Sequence, residues 1–91
     1  MNYLMSIDWY TTIKNYYDKG LYTKDDVAEY VYYGKITPAQ YQQITGEDYL
    51  VHLNLAYDNN KIDQIYLQAC VTKGLITQSE YEVIIASKST N

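Results

Sequence analysis

Few side chains in this sequence can do acid–base, nucleophilic or metal chemistry. The chain has one histidine, His52, and one cysteine, Cys70. Asp48 and Asp58 lie four residues before and six after His52, so at most one of them shares its helical face. A metal centre needs more ligands than that pair supplies. Cys70 falls on the apolar side of its segment with no histidine at helical spacing, which reads as a small core residue rather than a nucleophile. Asp58-Asn59-Asn60-Lys61-Ile62-Asp63 resembles the start of a calcium loop but lacks the central glycine and the closing glutamate. The glycines are dispersed, so no phosphate-cradling loop exists. Asp25, Asp26, Glu29, Glu47, Asp48, Asp63, Glu80 and Glu82 are explained by helix capping, helix dipoles and a solvated face. No catalytic residue, cofactor site or metal site is expected, and the chain reads as a non-enzyme.

The elements that hold these residues are announced by a repeated signal. Gly34-Lys35-Ile36-Thr37-Pro38-Ala39-Gln40-Tyr41 combines a helix stop and a helix start. Two more copies begin at Gly20 and Gly74. In each, glycine ends one helix in the left-handed conformation. Threonine three residues later caps the next. Asp26, Gln40 and Glu80 stand at the position that closes a capping box, and Pro38 occupies the first helical position. Tyr22/Val27, Ile36/Tyr41 and Ile76/Tyr81 have the spacing of a hydrophobic staple. Leu21 and Leu75 suit the apolar contact of a Schellman ending, whereas Lys35 offers only its stem.

These signals predict an all-α fold, a small bundle of five or six short helices joined by tight Gly-x-x-Thr turns. Helix 1 is expected over Ile7–Lys19 with Ser6 as its cap, helix 2 over Lys24–Tyr33, and helix 3 over Pro38 to Ile44 or Thr45. Residues 48–57 carry mixed strand and helix periodicity. A lone strand has no partner here, so a helix over Glu47–Tyr57 is preferred. Asn60 is expected to cap helix 5, Lys61–Lys73, and helix 6 follows Thr77. Ser87–Asn91 reads as a polar, frayed tail. The organisation expected is an N-terminal helical unit (1–49), a connecting helix or segment (50–57) and a C-terminal helical hairpin with a polar tail (58–91), together forming one compact domain.

Composition narrows function further. Seven lysines, no arginine and a net charge of −4 argue against a nucleic-acid surface. The Pro38–Ile44 segment, placed where a recognition helix would stand, contains no basic residue. No apolar run is long enough to span a membrane, and the N-terminus lacks a basic-then-apolar leader. A single cysteine rules out an internal disulfide and suits a reducing compartment or a particle assembled in one. Thirteen tyrosines stand against no phenylalanine. Tyrosine suits the half-buried positions of a thin helical domain and also suits protein interfaces. Trp9, Tyr16, Tyr30 and Tyr41 are assigned to the core. Tyr10, Tyr17, Tyr32, Tyr33 and Tyr49 are assigned to a partner-binding surface.

Residues 9–49 resemble the XkdX family of phage tail-associated proteins. The resemblance runs through Trp9, Ile13-Lys14, Tyr16-Tyr17-Asp18-Lys19-Gly20-Leu21-Tyr22-Thr23-Lys24-Asp25-Asp26-Val27, Gly34-Lys35-Ile36-Thr37, Gln40-Tyr41 and Ile44-Thr45-Gly46-Glu47-Asp48-Tyr49. Beyond it lie about forty residues that look like a diverged reuse of the same junction at Gly74. The resemblance implies a protein of tailed phages or prophages and carries no catalytic residue. The expectation is a structural or accessory protein, in the virion tail or in the host cytoplasm during assembly. Its partner would be a tail, baseplate or receptor-binding component, with a homo-oligomer as a further possibility. The alternative is an acidic phage-encoded inhibitor of a host protein such as a nuclease or polymerase.

Overall fold

A computed structural model describes residues 8–89, and the expected cap at Ser6 lies outside them. Six α-helices make up the fold, with no strand among the described residues. They are α1 (Trp9–Asp18), α2 (Lys24–Tyr32), α3 (Pro38–Thr45), α4 (Tyr49–Asp58), α5 (Gln64–Thr72) and α6 (Gln78–Ser89). The chain divides into two compact units between Gly46 and Glu47. Residues 50–57, the ambiguous stretch of the sequence, are helical and belong to α4 of the second unit.

The three glycine junctions form as their sequences require. After α1, Leu21 N–H donates to Tyr16 C=O and Gly20 N–H to Tyr17 C=O, the paired bonds of a Schellman ending. Lys35 and Gly34, then Leu75 and Gly74, repeat this after α2 and α5. Gly34 has φ +79°, a conformation that side-chain-bearing residues adopt only with strain. Each following threonine closes a capping box. Thr37 Oγ1 accepts from Gln40 N–H at 3.0 Å, while Gln40 Oε1 accepts from Thr37 N–H at 2.9 Å. Thr23 with Asp26, and Thr77 with Glu80, do the same.

A fourth junction has the same geometry with different residues. Asn60, at φ 61°, stands where the others have glycine. Its N–H donates to Tyr57 C=O, and Lys61 N–H donates to Ala56 C=O. Asp63 is the cap of α5, accepting from Tyr66 N–H at 2.9 Å. This corrects the sequence expectation that Asn60 caps helix 5 and that Lys61 begins it. Asparagine tolerates the left-handed region better than most residues, so here it ends a helix instead of starting one. The loop that resembled a calcium site is therefore a helix junction. α1 is likewise capped by Asp8, which accepts from Thr11 N–H, and α4 by Asp48, which accepts from Leu50 N–H. α4 thus starts at Tyr49, two residues after the expected Glu47.

With that junction in place, the two units have one plan. Helices α4, α5 and α6 each begin forty residues after α1, α2 and α3. Core positions follow the same offset. Ile13, Val27, Ile36 and Ile44 are buried in the first unit, and Leu53, Leu67, Ile76 and Ile84 in the second. Three helices with one apolar stripe each can bury a core this small only by facing one another. The main departure is the third helix. Gly46 ends α3 with φ +79°, and the residue forty later is Ala86, so α6 continues to Ser89. Residues 87–89 of the expected frayed tail are therefore helix, and Thr90 and Asn91 lie outside the described residues. Lys88 on that extension donates to Tyr57 C=O at 3.0 Å and to Asn60 Oδ1, tying the end of α6 to the end of α4.

Candidate protein-contact face

In the first unit Trp9 and Tyr16 of α1, Tyr22 of the turn and Tyr30 of α2 form a row. Tyr16 meets Tyr22 edge-on with ring centroids 5.4 Å apart. Tyr22 meets Tyr30 at 5.7 Å, and Tyr30 meets Trp9 at 5.7 Å. Lys35 Nζ sits over the Trp9 ring, 5.2 Å from its centroid. The row follows from the junction at Gly20. That turn puts Tyr22 at N′ of α2, where it faces back towards α1 and forward along α2. The Tyr22 and Tyr30 hydroxyls are 3.0 Å apart. The hydrogen bond to Tyr30 raises the pKa of Tyr22, with burial and the charges of Tyr30 and Asp26 acting in the same direction.

Beside the row runs a groove of about 440 Å³ lined by Leu21, Tyr22, Asp26, Glu29, Tyr30 and Tyr33. Residues 22, 26, the adjacent pair 29 and 30, and 33 recur every three to four positions, so they fall on one stripe of α2 and its flanking turns. Leu21 and Tyr33 are each 65% exposed at its rim. Aromatic faces and two carboxylates, with no amine in the lining, suit a cationic, partly apolar protein segment.

The five tyrosines assigned to a surface are placed differently by the structure. Tyr33 lies on this groove, and Tyr32 packs edge-on against it at 5.3 Å. Tyr10 and Tyr17 are half-buried on α1 and do not line the groove. Tyr49 is 3% exposed, so it offers no surface to a partner. Of the four residues assigned to the core, Tyr41 is fully buried. Trp9 and Tyr30 are half-buried, and Tyr16 is 40% exposed because the row lies along the edge of a two-helix contact. Leu21 and Tyr22 are not among the expected partner-binding residues and Glu29 is expected only as part of the capping and solvated-face carboxylates, although the spacing of Tyr22 and Glu29 along one stripe with Tyr30 and Tyr33 is a signal that the sequence carries.

The second unit has replaced this face. Its counterparts of Trp9, Tyr30, Tyr22 and Tyr16 are Tyr49, Cys70, Ile62 and Ala56. Burial raises the pKa of the Cys70 thiol, with the Tyr49 hydroxyl and the charge of Lys73 acting in the opposite direction. Cys70 is fully buried, in agreement with its reading as a core residue. His52 stacks on the Tyr49 ring and lies 3.8 Å from Glu47, the surroundings of a structural histidine. Among the described residues no group of histidine, cysteine and carboxylate side chains is arranged to hold a metal ion. No helix of the described residues is long and apolar enough to cross a membrane.

No match was found among curated proteins or among solved structures. Residues 10–49 match the family described as "Phage uncharacterised protein (Phage_XkdX)". The match runs from the second residue of α1 through α2 and α3 to the first residue of α4. Through those residues the chain matches the XkdX family of phage proteins, a family whose function is uncharacterised.

Proposed function

We propose that the chain is a non-enzymatic structural or accessory protein of the phage, binding a tail, baseplate or receptor-binding component in the virion. The observation that carries this reading is the groove formed by Tyr22, Tyr30 and Tyr33 with Asp26 and Glu29. Tyrosine-lined grooves with a charged rim are a common form of protein-contact surface, because each ring buries much apolar area at a small entropic cost. The groove lies in the unit that carries the family match.

The test is mass spectrometry of purified particles made with the natural chain and with a Tyr33→Ser/Glu29→Lys variant. Both side chains are exposed, so the variant keeps its fold, which thermal melting checks. The expected result is a fixed copy number per particle for the natural chain and its loss for the variant. Absence of the natural chain from particles, together with stoichiometric recovery of a host enzyme on it from infected cells, overturns the reading. That outcome favours the inhibitor alternative.

A further inference from the structure

The forty-residue offset sets the groove of the first unit against its own counterpart in the second. The lining residues Leu21, Tyr22, Asp26, Glu29, Tyr30 and Tyr33 correspond to Lys61, Ile62, Tyr66, Ala69, Cys70 and Lys73. The first set has two carboxylates and no amine, and the second has two lysines and no carboxylate. Asp25, next to the groove on α2, corresponds to Ile65, which is 74% exposed. Divergence has thus removed every carboxylate of the α2 stripe from the α5 stripe. It has also placed a lysine at each end of that stripe and left an exposed aliphatic side chain on α5.

We propose that the occupant of the Tyr22–Tyr30–Tyr33 groove is the α5 face of a second copy of this chain. The proposal rests on the reading of the groove as a protein-contact surface and names its partner. Lys61 and Lys73 supply cations for Asp26, Glu29 and the tyrosine rings, and Ile65 supplies apolar area. Two copies of the α2 face repel each other, as do two copies of the α5 face. Association is therefore head-to-tail. A contact of this kind leaves one groove and one α5 face unused at the ends of any open assembly, where further copies add.

The experiment is sedimentation velocity of the full chain from low-micromolar to near-millimolar concentration, at about 50 mM and about 500 mM salt. The expected result is concentration-dependent association that weakens at least severalfold at the higher salt. Glu29→Lys breaks the groove and leaves the α5 face. Lys61→Glu/Lys73→Gln breaks the α5 face and leaves the groove. Each variant alone sediments as a monomer, and the two mixed form a one-to-one complex that grows no further. Circular dichroism melts confirm that both variants are folded. A natural chain that stays monomeric at every concentration overturns the proposal, as does a mixture that forms no complex. If the monomeric chain is nevertheless incorporated into particles and Tyr33→Ser/Glu29→Lys abolishes that, the contact-surface reading stands and only the identity of the partner falls.

Discussion

Tyr22 and Tyr30 share a hydroxyl–hydroxyl hydrogen bond of 3.0 Å while their rings pack at 5.7 Å. The neutral pair is favoured, so the folded chain holds the Tyr22 proton more tightly than the unfolded chain does. The resulting stability is fully present below the ordinary tyrosine value of 10.0 and is lost as pH rises through the raised folded value. Burial raises Cys70 above its ordinary 9.0, so its contribution has the same sign and begins to fall slightly earlier. Denaturant melts should therefore hold steady through neutral pH and weaken in the alkaline range. Tyr22→Phe should reduce that alkaline loss, and an unchanged pH profile would count against the pair.

The caps offer a second set of measurements. Thr37→Ala removes the acceptor for Gln40 N–H and keeps only the reverse bond, from Thr37 N–H to Gln40 Oε1. The cost should be about 1 kcal/mol, with a similar loss for Thr23→Ala, Thr77→Ala and Asp63→Ala. The Asp63 variant is the most informative, since it tests the junction that has no glycine or threonine. Urea melts read the loss directly.

Asn60 provides a separate test of that junction. Asn60→Ala forces an ordinary side chain into the left-handed region and removes the acceptor for Lys88, at a cost of about 1–2 kcal/mol. Asn60→Gly keeps the backbone conformation at no steric cost, so its melt should lie between those of the natural chain and the alanine variant.

The paired cores should respond alike. Val27 and Leu67 are both fully buried at equivalent positions. Leu67→Ala should cost about 2–5 kcal/mol, and Val27→Ala somewhat less because fewer methylenes are lost. Val83→Ala, at an exposed site, should stay within about 0.5 kcal/mol. Equal losses at Leu67 and Val83 would contradict the assigned packing.

The helices are legible in the sequence because their ends are written in residues with one conformational use. Glycine, threonine and an acid or amide three residues on locate three junctions by spacing alone. The fourth escapes that pattern because Asn60 and Asp63 fill the same backbone roles with residues that also begin turns and caps elsewhere. Without it the forty-residue spacing of Gly34 and Gly74 shows one reused junction and not a whole repeated unit, since a helix 5 that starts at Lys61 falls out of step with α2. The face is harder to read. Trp9, Tyr16 and Tyr30 have the period of a core, and only packing reveals that their row lies on the edge of a helix pair. Tyr49 is assigned to the surface with the other tyrosines, but it is the first residue of α4 in the second unit and turns into that unit's core.

The most direct test places a photo-crosslinking benzophenone amino acid at Tyr33, and in a control chain at exposed Ser79, during phage production. Adducts to a phage structural protein or to a second copy of the chain should form at position 33 and not at position 79. No adduct at position 33, or equal adducts at both positions, would contradict the groove on α2 as the contact surface of this protein.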